Sequence, residues 1–102
     1  MKNEKINIGI VGCGNIAEKY LDQISSYDNI KLIGLSDIEI DRAKNFSSIY
    51  KCQFYESLDK MLLDENIDLI VNLTIHHAHA EVIEKILTSG KHVYTEKPLA
   101  MN

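Results

Sequence analysis

An α/β fold built on a doubly wound parallel sheet, with strand order 3-2-1-4-5, follows from three features of the chain. Short β-branched runs alternate with stretches of helical periodicity from end to end. A glycine turn, Gly12-Cys13-Gly14, joins the first run to the first helical stretch. The run Asp68-Leu69-Ile70-Val71-Asn72-Leu73 is nearly all apolar, as a parallel strand covered on both faces requires. Strands and helices in this alternation connect by right-handed crossovers and leave helices on both faces of the sheet.

The elements follow in order. Ile6–Val11 is a β-branched strand ending at glycine, and Ile16, Tyr20, Leu21 and Ile24 then recur at helical spacing. Lys31–Ser36 reads as a second strand that ends at Asp37, after which Ile40, Ala43 and Phe46 mark a short helix. Gln53-Phe54-Tyr55 is a weak third strand. Ser57 then suits an N-cap, with Leu58, Met61 and Leu62 as the buried face of a helix of one or two turns. Residues 68–73 form the central fourth strand. From His77 to Thr88, Ala78, Val82, Ile83, Ile86 and Leu87 share one face and Glu81, Glu84 and Lys85 the other, with Gly90 as the stop. His92–Thr95 is a fifth strand, closed by Glu96-Lys97-Pro98 because proline cannot donate to a ladder.

With 102 residues the chain has room for one domain, 1–102, and its 45% hydrophobic and 25% charged content is that of an ordinary folded protein. A net charge of −4 argues against a nucleic-acid partner, whose phosphates call for a clustered basic surface. The N-terminal residues carry both signs of charge, and the apolar run after them is too short for a signal or membrane segment, so a cytoplasmic protein is expected. Cys13 and Cys52 form neither a metal-type pair nor a disulfide framework and are expected to be reduced.

Gly12-Cys13-Gly14-Asn15-Ile16-Ala17 fits the pattern G-x-G-x-x-G/A, placed between strand and helix. The first glycine permits the tight turn, the second lets backbone approach a pyrophosphate, and the small third residue lets helix and strand pack closely. The helix N-terminus then offers N–H groups and a positive dipole end to the phosphates. Asp37 stands 20 residues beyond Ala17, the spacing at which a carboxylate accepts hydrogen bonds from the adenine-ribose hydroxyls. This is the fingerprint of a Rossmann domain that binds NAD. A carboxylate at this point repels the 2′-phosphate of NADP, although Arg42 lies close enough along the next helix to accommodate one. Alternatively, Gly12 and Gly14 only serve a turn and Asp37 only caps a helix. A methyltransferase shares the glycine turn, but the acid it needs in the first strand is missing.

Three histidines, His76, His77 and His79, follow the fourth strand, and the spacing of the outer two would place them on one helix face. No further ligand completes a metal set, so no metal is expected and a pocket-lining or solvated role is the simpler reading. Glu96-Lys97, at the same sheet edge, is on its own terms an ordinary solvated pair.

The segments Ile8–Ala17 and Gly90-Lys91-His92-Val93-Tyr94-Thr95-Glu96-Lys97-Pro98-Leu99-Ala100 together resemble the glucose-fructose oxidoreductase / inositol dehydrogenase / MocA family, and the likeness runs through nearly the whole chain. The resemblance implies a Rossmann domain followed by an α/β substrate domain, and oxidation or reduction of a hydroxyl carbon of a sugar, cyclitol or related compound with NAD or NADP. It implies Lys97 as the catalytic residue near the nicotinamide and the reacting hydroxyl, with Glu96 shaping the pocket and a cis Lys97-Pro98 bond aiming the lysine. In the family the stretch after the fourth strand commonly reads Thr-Pro-Asn-x-x-His. Here Thr74 and His79 match, and Ile75 and His76 depart from it. The expected cofactor contacts are thus Gly12, Gly14, Asn15, Ile16, Ala17, Asp37, Arg42, Thr74, His79, Glu96 and Lys97.

The chain reaches Asn102 about where the next helix of such a fold would be under way. It is therefore expected to be a cofactor-binding fragment, inactive by itself, whose missing partner domain carries the substrate walls. An exposed sheet edge makes it prone to self-association, and the family member is expected to be a homo-oligomer. A stand-alone dinucleotide sensor without turnover is the competing expectation.

Overall fold

The computed structural model describes residues 5–12, 15–24, 26–74 and 79–95, and at Asn15, Ile16 and His79 the backbone only. The elements run β1 (Ile6–Val11), α1 (Asn15–Ile24), β2 (Ile30–Ser36), α2 (Ile40–Tyr50), β3 (Gln53–Phe54), α3 (Leu58–Leu62), β4 (Leu69–Asn72), α4 (His79–Thr88) and β5 (His92–Thr95). All five strands join in one parallel sheet of order β3-β2-β1-β4-β5, as the sequence predicts.

Strand pleating sorts the core into two layers. On one face Ile8, Ile10, Leu35 and Val71 meet Ala17, Leu21 and Ile24 of α1 and Ala43 of α2. On the other, Val11, Ile67 and Ile70 meet Met61 of α3 and Ile86 of α4. Helices therefore cover both faces, and the sheet is doubly wound. A register shift between Ile8 and Gly9 pairs Ile8 with Leu32 but Gly9 with Gly34, so Ile33 is an extra residue in β2.

Two local readings change. The second helix is not short, because Ser47 and Tyr50 extend the inner stripe of Ala43 and Phe46 to the end of its 11 residues. Its hydroxyl at Ser47 is satisfied by donating to the Ala43 carbonyl at 2.8 Å, which is how a polar residue sits buried in the stripe. In α4 the buried stripe is narrower than expected: Ile86 is fully buried, while Leu87 is 57% exposed. Val82 packs with the cluster of Ile86 and Met61, and Leu87, about 100° around the helix from Ile86, falls outside that contact.

Ahead of β4 and β5, polar groups close on one another, and Tyr55 reaches back to them from the end of β3. The Tyr55 hydroxyl donates to the Asp64 carboxylate, which also accepts the Asn66 N–H at 2.9 Å. The Lys91 ammonium donates to the carbonyls of Asp64 at 2.7 Å and Ile67 at 2.8 Å. Gly34 makes room for this arrangement, since a Cβ there would lie 2.3 Å from the Tyr55 ring. The Tyr55 hydrogen bond holds the Asp64 carboxyl below its ordinary range. Burial, followed by the bond to Asp64, pushes the Tyr55 phenol well above 10.

Candidate functional site at the C-terminal edge of the sheet

The chain leaves β1 toward β2 on one side and returns to β4 on the other, so the ends of β1 and β4 flank the point where strand order reverses. Ligands of open α/β sheets bind in the crevice that such a reversal opens. Gly12 lies at this point with φ +96, a backbone region that side chains other than glycine's rarely adopt. Its N–H donates to the Ser36 carbonyl at 2.8 Å, extending the β1–β2 ladder one residue past the strand. A Cβ on Gly12 would stand 2.7 Å from the Leu73 carbonyl carbon and 2.8 Å from the Thr74 nitrogen. Glycine is thus needed twice over, for the turn and for the approach of the chain leaving β4.

Helix α1 starts at Asn15, directly after this turn, so its N-terminal amides belong to the same edge. Ala17 is completely buried between α1 and the sheet, the close packing that the third position of the motif demands. Gly14 lies outside the described residues, and Asn15 and Ile16 are fixed only as the first residues of the helix.

Asp37 follows β2 immediately, one residue past the Ser36 carbonyl that holds Gly12. Its carboxylate is 10% exposed and sits 3.7 Å from the Arg42 guanidinium, which is 48% exposed. The N-cap position of α2 is Glu39, two residues beyond Asp37. An acid and a base therefore stand side by side at the outer corner of the site. The carboxylate can accept from a diol, and the arginine offers a positive group within reach of a phosphate.

On the other side of the crevice, Asn72 is fully buried at the end of β4. Its Oδ1 accepts the Thr74 N–H at 3.1 Å and the Thr74 hydroxyl at 2.7 Å. The Leu73 N–H donates to the Val11 carbonyl at 2.9 Å, which ties this turn to β1. Thr95, the last described residue of β5, pairs with Asn72. Glu96, Lys97 and the Lys97-Pro98 bond lie outside the described residues, as do His76 and His77, and His79 is fixed only as the first residue of α4.

The structure thus brings Gly12, Asp37, Arg42, Thr74 and the start of α1 to one edge. Sequence reasoning passed over Asn72, although a single carboxamide in the apolar run Leu69–Leu73, two residues before a threonine, is the signature of an Asx turn. Among the described residues no group of histidine, cysteine and carboxylate side chains forms a metal cluster, and Cys52 is a free, half-buried thiol that burial pushes up to about 11. No described helix is long and apolar enough to cross a membrane.

Comparison with known proteins places the chain in a family. Residues 6–102 match the model of an oxidoreductase family, Gfo/Idh/MocA, with an NAD-binding Rossmann fold. Glucose-6-phosphate 3-dehydrogenase of Bacillus subtilis is 34% identical over 93% of this chain and 27% of its own length. Trans-1,2-dihydrobenzene-1,2-diol dehydrogenase of Xenopus laevis is 32% identical over 92% of the chain and 29% of its own. Among solved structures, the 3-ketoreductase KijD10 of Actinomadura kijaniata, in complex with NADP and TDP-benzene, superposes with a TM-score of 0.87 at 28% identity, covering 95% of this chain and 30% of that one. The chain spans under a third of the length of these relatives.

Proposed function

This chain belongs to the Gfo/Idh/MocA oxidoreductase family, an enzyme family that uses NAD or NADP, and on that premise we propose that it forms the cofactor-binding part of an enzyme acting on the CH–OH group of a sugar, cyclitol or related compound. The observation that carries the proposal is the convergence of Gly12, Asp37 and Thr74 on the crevice at the strand reversal, with a helix N-terminus opening between them. These residues fit a dinucleotide by their chemistry: a turn that brings backbone close, amides for a pyrophosphate, and a carboxylate for a ribose diol.

In this reading Gly12, Gly14, Asn15, Ile16 and Ala17 form the pyrophosphate turn, and Asp37 accepts from the adenine-ribose hydroxyls. Arg42, at 3.7 Å, tempers the carboxylate's repulsion of a 2′-phosphate, so NAD is preferred without NADP being shut out. Thr74, His79 and Glu96 line the nicotinamide side. The bound cofactor supplies the acceptor or donor of hydride. Lys97 exchanges a proton with the substrate oxygen as the C–H bond breaks or forms.

The substrate-orienting walls belong in this reading to a further α/β domain, so the 102 residues bind dinucleotide weakly and turn nothing over. A sensor without turnover is the less favoured alternative, because the named relatives are enzymes. The sparse cysteines suit a cytosolic setting, and the exposed Tyr94 on β5 suits association through that sheet edge into a homo-oligomer. Calorimetric titration of the chain and of Asp37→Ala with NAD and NADP tests the cofactor assignment. NAD is expected to weaken about tenfold in the variant, the weight of one charged hydrogen bond, and the preference over NADP to shrink. Equal NAD affinity in both proteins removes Asp37 from the site.

A further inference from the structure

We propose that Asn72 is a positioning residue of the cofactor site, which acts by holding Thr74 against the glycine turn with its hydroxyl oxygen presented as an acceptor. This inference rests on the cofactor reading above and adds to it a residue and a polarity.

The β4 strand alternates its faces. Leu69 and Val71 belong to the α1 side and Ile70 to the α3–α4 side, so Asn72 lies on the same side as Ile70, at the end of the strand. A completely buried carboxamide is costly unless it is hydrogen-bonded, and an apolar residue would serve the core better. What the carboxamide contributes is the turn. Its Oδ1 takes both the backbone N–H and the side-chain hydroxyl of Thr74, at 3.1 and 2.7 Å.

The polarity follows from the first of these bonds. A backbone N–H can only donate, so the atom it meets is the carbonyl oxygen of Asn72, and the Thr74 hydroxyl must donate to that same oxygen. Toward any ligand the Thr74 oxygen is then an acceptor. It suits an O–H or N–H donor, such as a ribose hydroxyl or a carboxamide, and not a phosphate oxygen. Position follows from Gly12, whose missing Cβ lets the Leu73–Thr74 peptide lie where a side chain would otherwise stand. Asn72, Thr74 and Gly12 thus form one unit across the crevice.

The test is calorimetric titration of the chain with NAD, with ADP-ribose and with inorganic pyrophosphate, on wild type, Asn72→Leu, Thr74→Val, the double variant and Thr74→Ser, with thermal midpoints recorded throughout. Asn72→Leu and Thr74→Val should each weaken NAD about 5- to 20-fold, the weight of one hydrogen bond, and the double variant should lose no more than the worse single one. Thr74→Ser should stay close to wild type. Ile67→Ala, at an equally buried position by the opposite edge, should lower the midpoint and leave NAD affinity unchanged. A loss seen with NAD and ADP-ribose alike points to a ribose hydroxyl as the donor, and one seen with NAD alone to the carboxamide. Thr74→Val keeps the core intact and reads the same bond should Asn72→Leu not fold. The inference is overturned by variants that bind NAD as wild type does, by losses that multiply in the double variant, by a matching loss in Ile67→Ala, or by weakened pyrophosphate binding in Thr74→Val. A wild-type chain that binds no dinucleotide overturns the cofactor reading as well.

Discussion

The two edges of the sheet use polar groups in opposite ways. Where β4 and β5 begin, Asp64 and Lys91, joined by Tyr55 reaching back from the end of β3, spend their hydrogen bonds on one another and on backbone carbonyls, and knit the approaches to β4 and β5 together. Where the strands end, Gly12, Asp37 and Thr74 lie at the reversal of strand order, and the bonds they make fix them in place there. The first edge contributes stability. The second holds a shape, and the difference separates residues whose loss loosens the protein from residues whose loss blinds it.

The largest expected effect comes from Gly12→Ala, which belongs to both categories. A side chain at φ +96 is strained by about 1–2 kcal/mol, and contact with the Leu73–Thr74 peptide adds about 1–3 kcal/mol. Urea unfolding should show a loss of about 2–5 kcal/mol, the combined range of strain and overpacking, and NAD binding should vanish in the folded fraction. An unchanged unfolding midpoint would mean that the turn is not held by the β4 chain.

Next comes Lys91→Met, which keeps the aliphatic stem and leaves two carbonyls without their ammonium partner. A destabilisation of about 1–3 kcal/mol is expected, with NAD affinity unchanged within error. A parallel loss of affinity would break the division between the edges.

The pH profile sharpens the comparison further. Tyr55 titrates above its ordinary value, so the stability its bond contributes is complete below pH about 10 and is lost as pH rises through the raised folded value. Asp64 titrates below its ordinary value, so its contribution is complete above pH about 4 and is lost as pH falls through the lowered one. Tyr55→Phe should flatten the alkaline limb and soften the acid one, as followed by thermal midpoints between pH 2 and pH 11. Equal profiles for both proteins would show that this bond carries no linkage.

The smallest effect belongs to Lys51, which closes α2 with φ 58. Lys51→Gly relieves the left-handed strain of about 1–2 kcal/mol and costs about 0.5–1 kcal/mol in chain entropy, for a net gain of about 0.5 kcal/mol. Differential scanning calorimetry should show a slightly raised midpoint, and titration an unaltered NAD affinity.

Much of this molecule is legible in its sequence where the signal is local. The β-branched runs, the glycine at position 12 with its positive φ, and the Ser57 cap, whose oxygen accepts the Lys60 N–H at 3.2 Å, are written in adjacent residues and fold as read. Contacts between distant segments leave no such trace. Nothing in the spacing of Tyr55, Asp64 and Lys91 announces that they meet, because the sheet crossovers that join them are a property of the whole fold. The exposure of Leu87 likewise depends on how α4 sits on the cluster of Ile86 and Met61, which periodicity alone cannot see. At the site, Asp37 was visible from its distance to the glycine turn, and Asn72 was hidden because a buried carboxamide in a strand looks like an interruption of the pattern.

The bond from the Gly12 N–H to the Ser36 carbonyl carries one more consequence. It makes the mouth of the crevice an extension of the sheet ladder, so its conformational freedom is surrendered when the strands pair and not when a ligand arrives. A binding site already stiff before the encounter loses little entropy on occupation, and more of the contact energy survives as affinity. The amide of Gly12 should accordingly exchange with deuterated water as slowly as the interior of β1, in the presence and in the absence of dinucleotide alike.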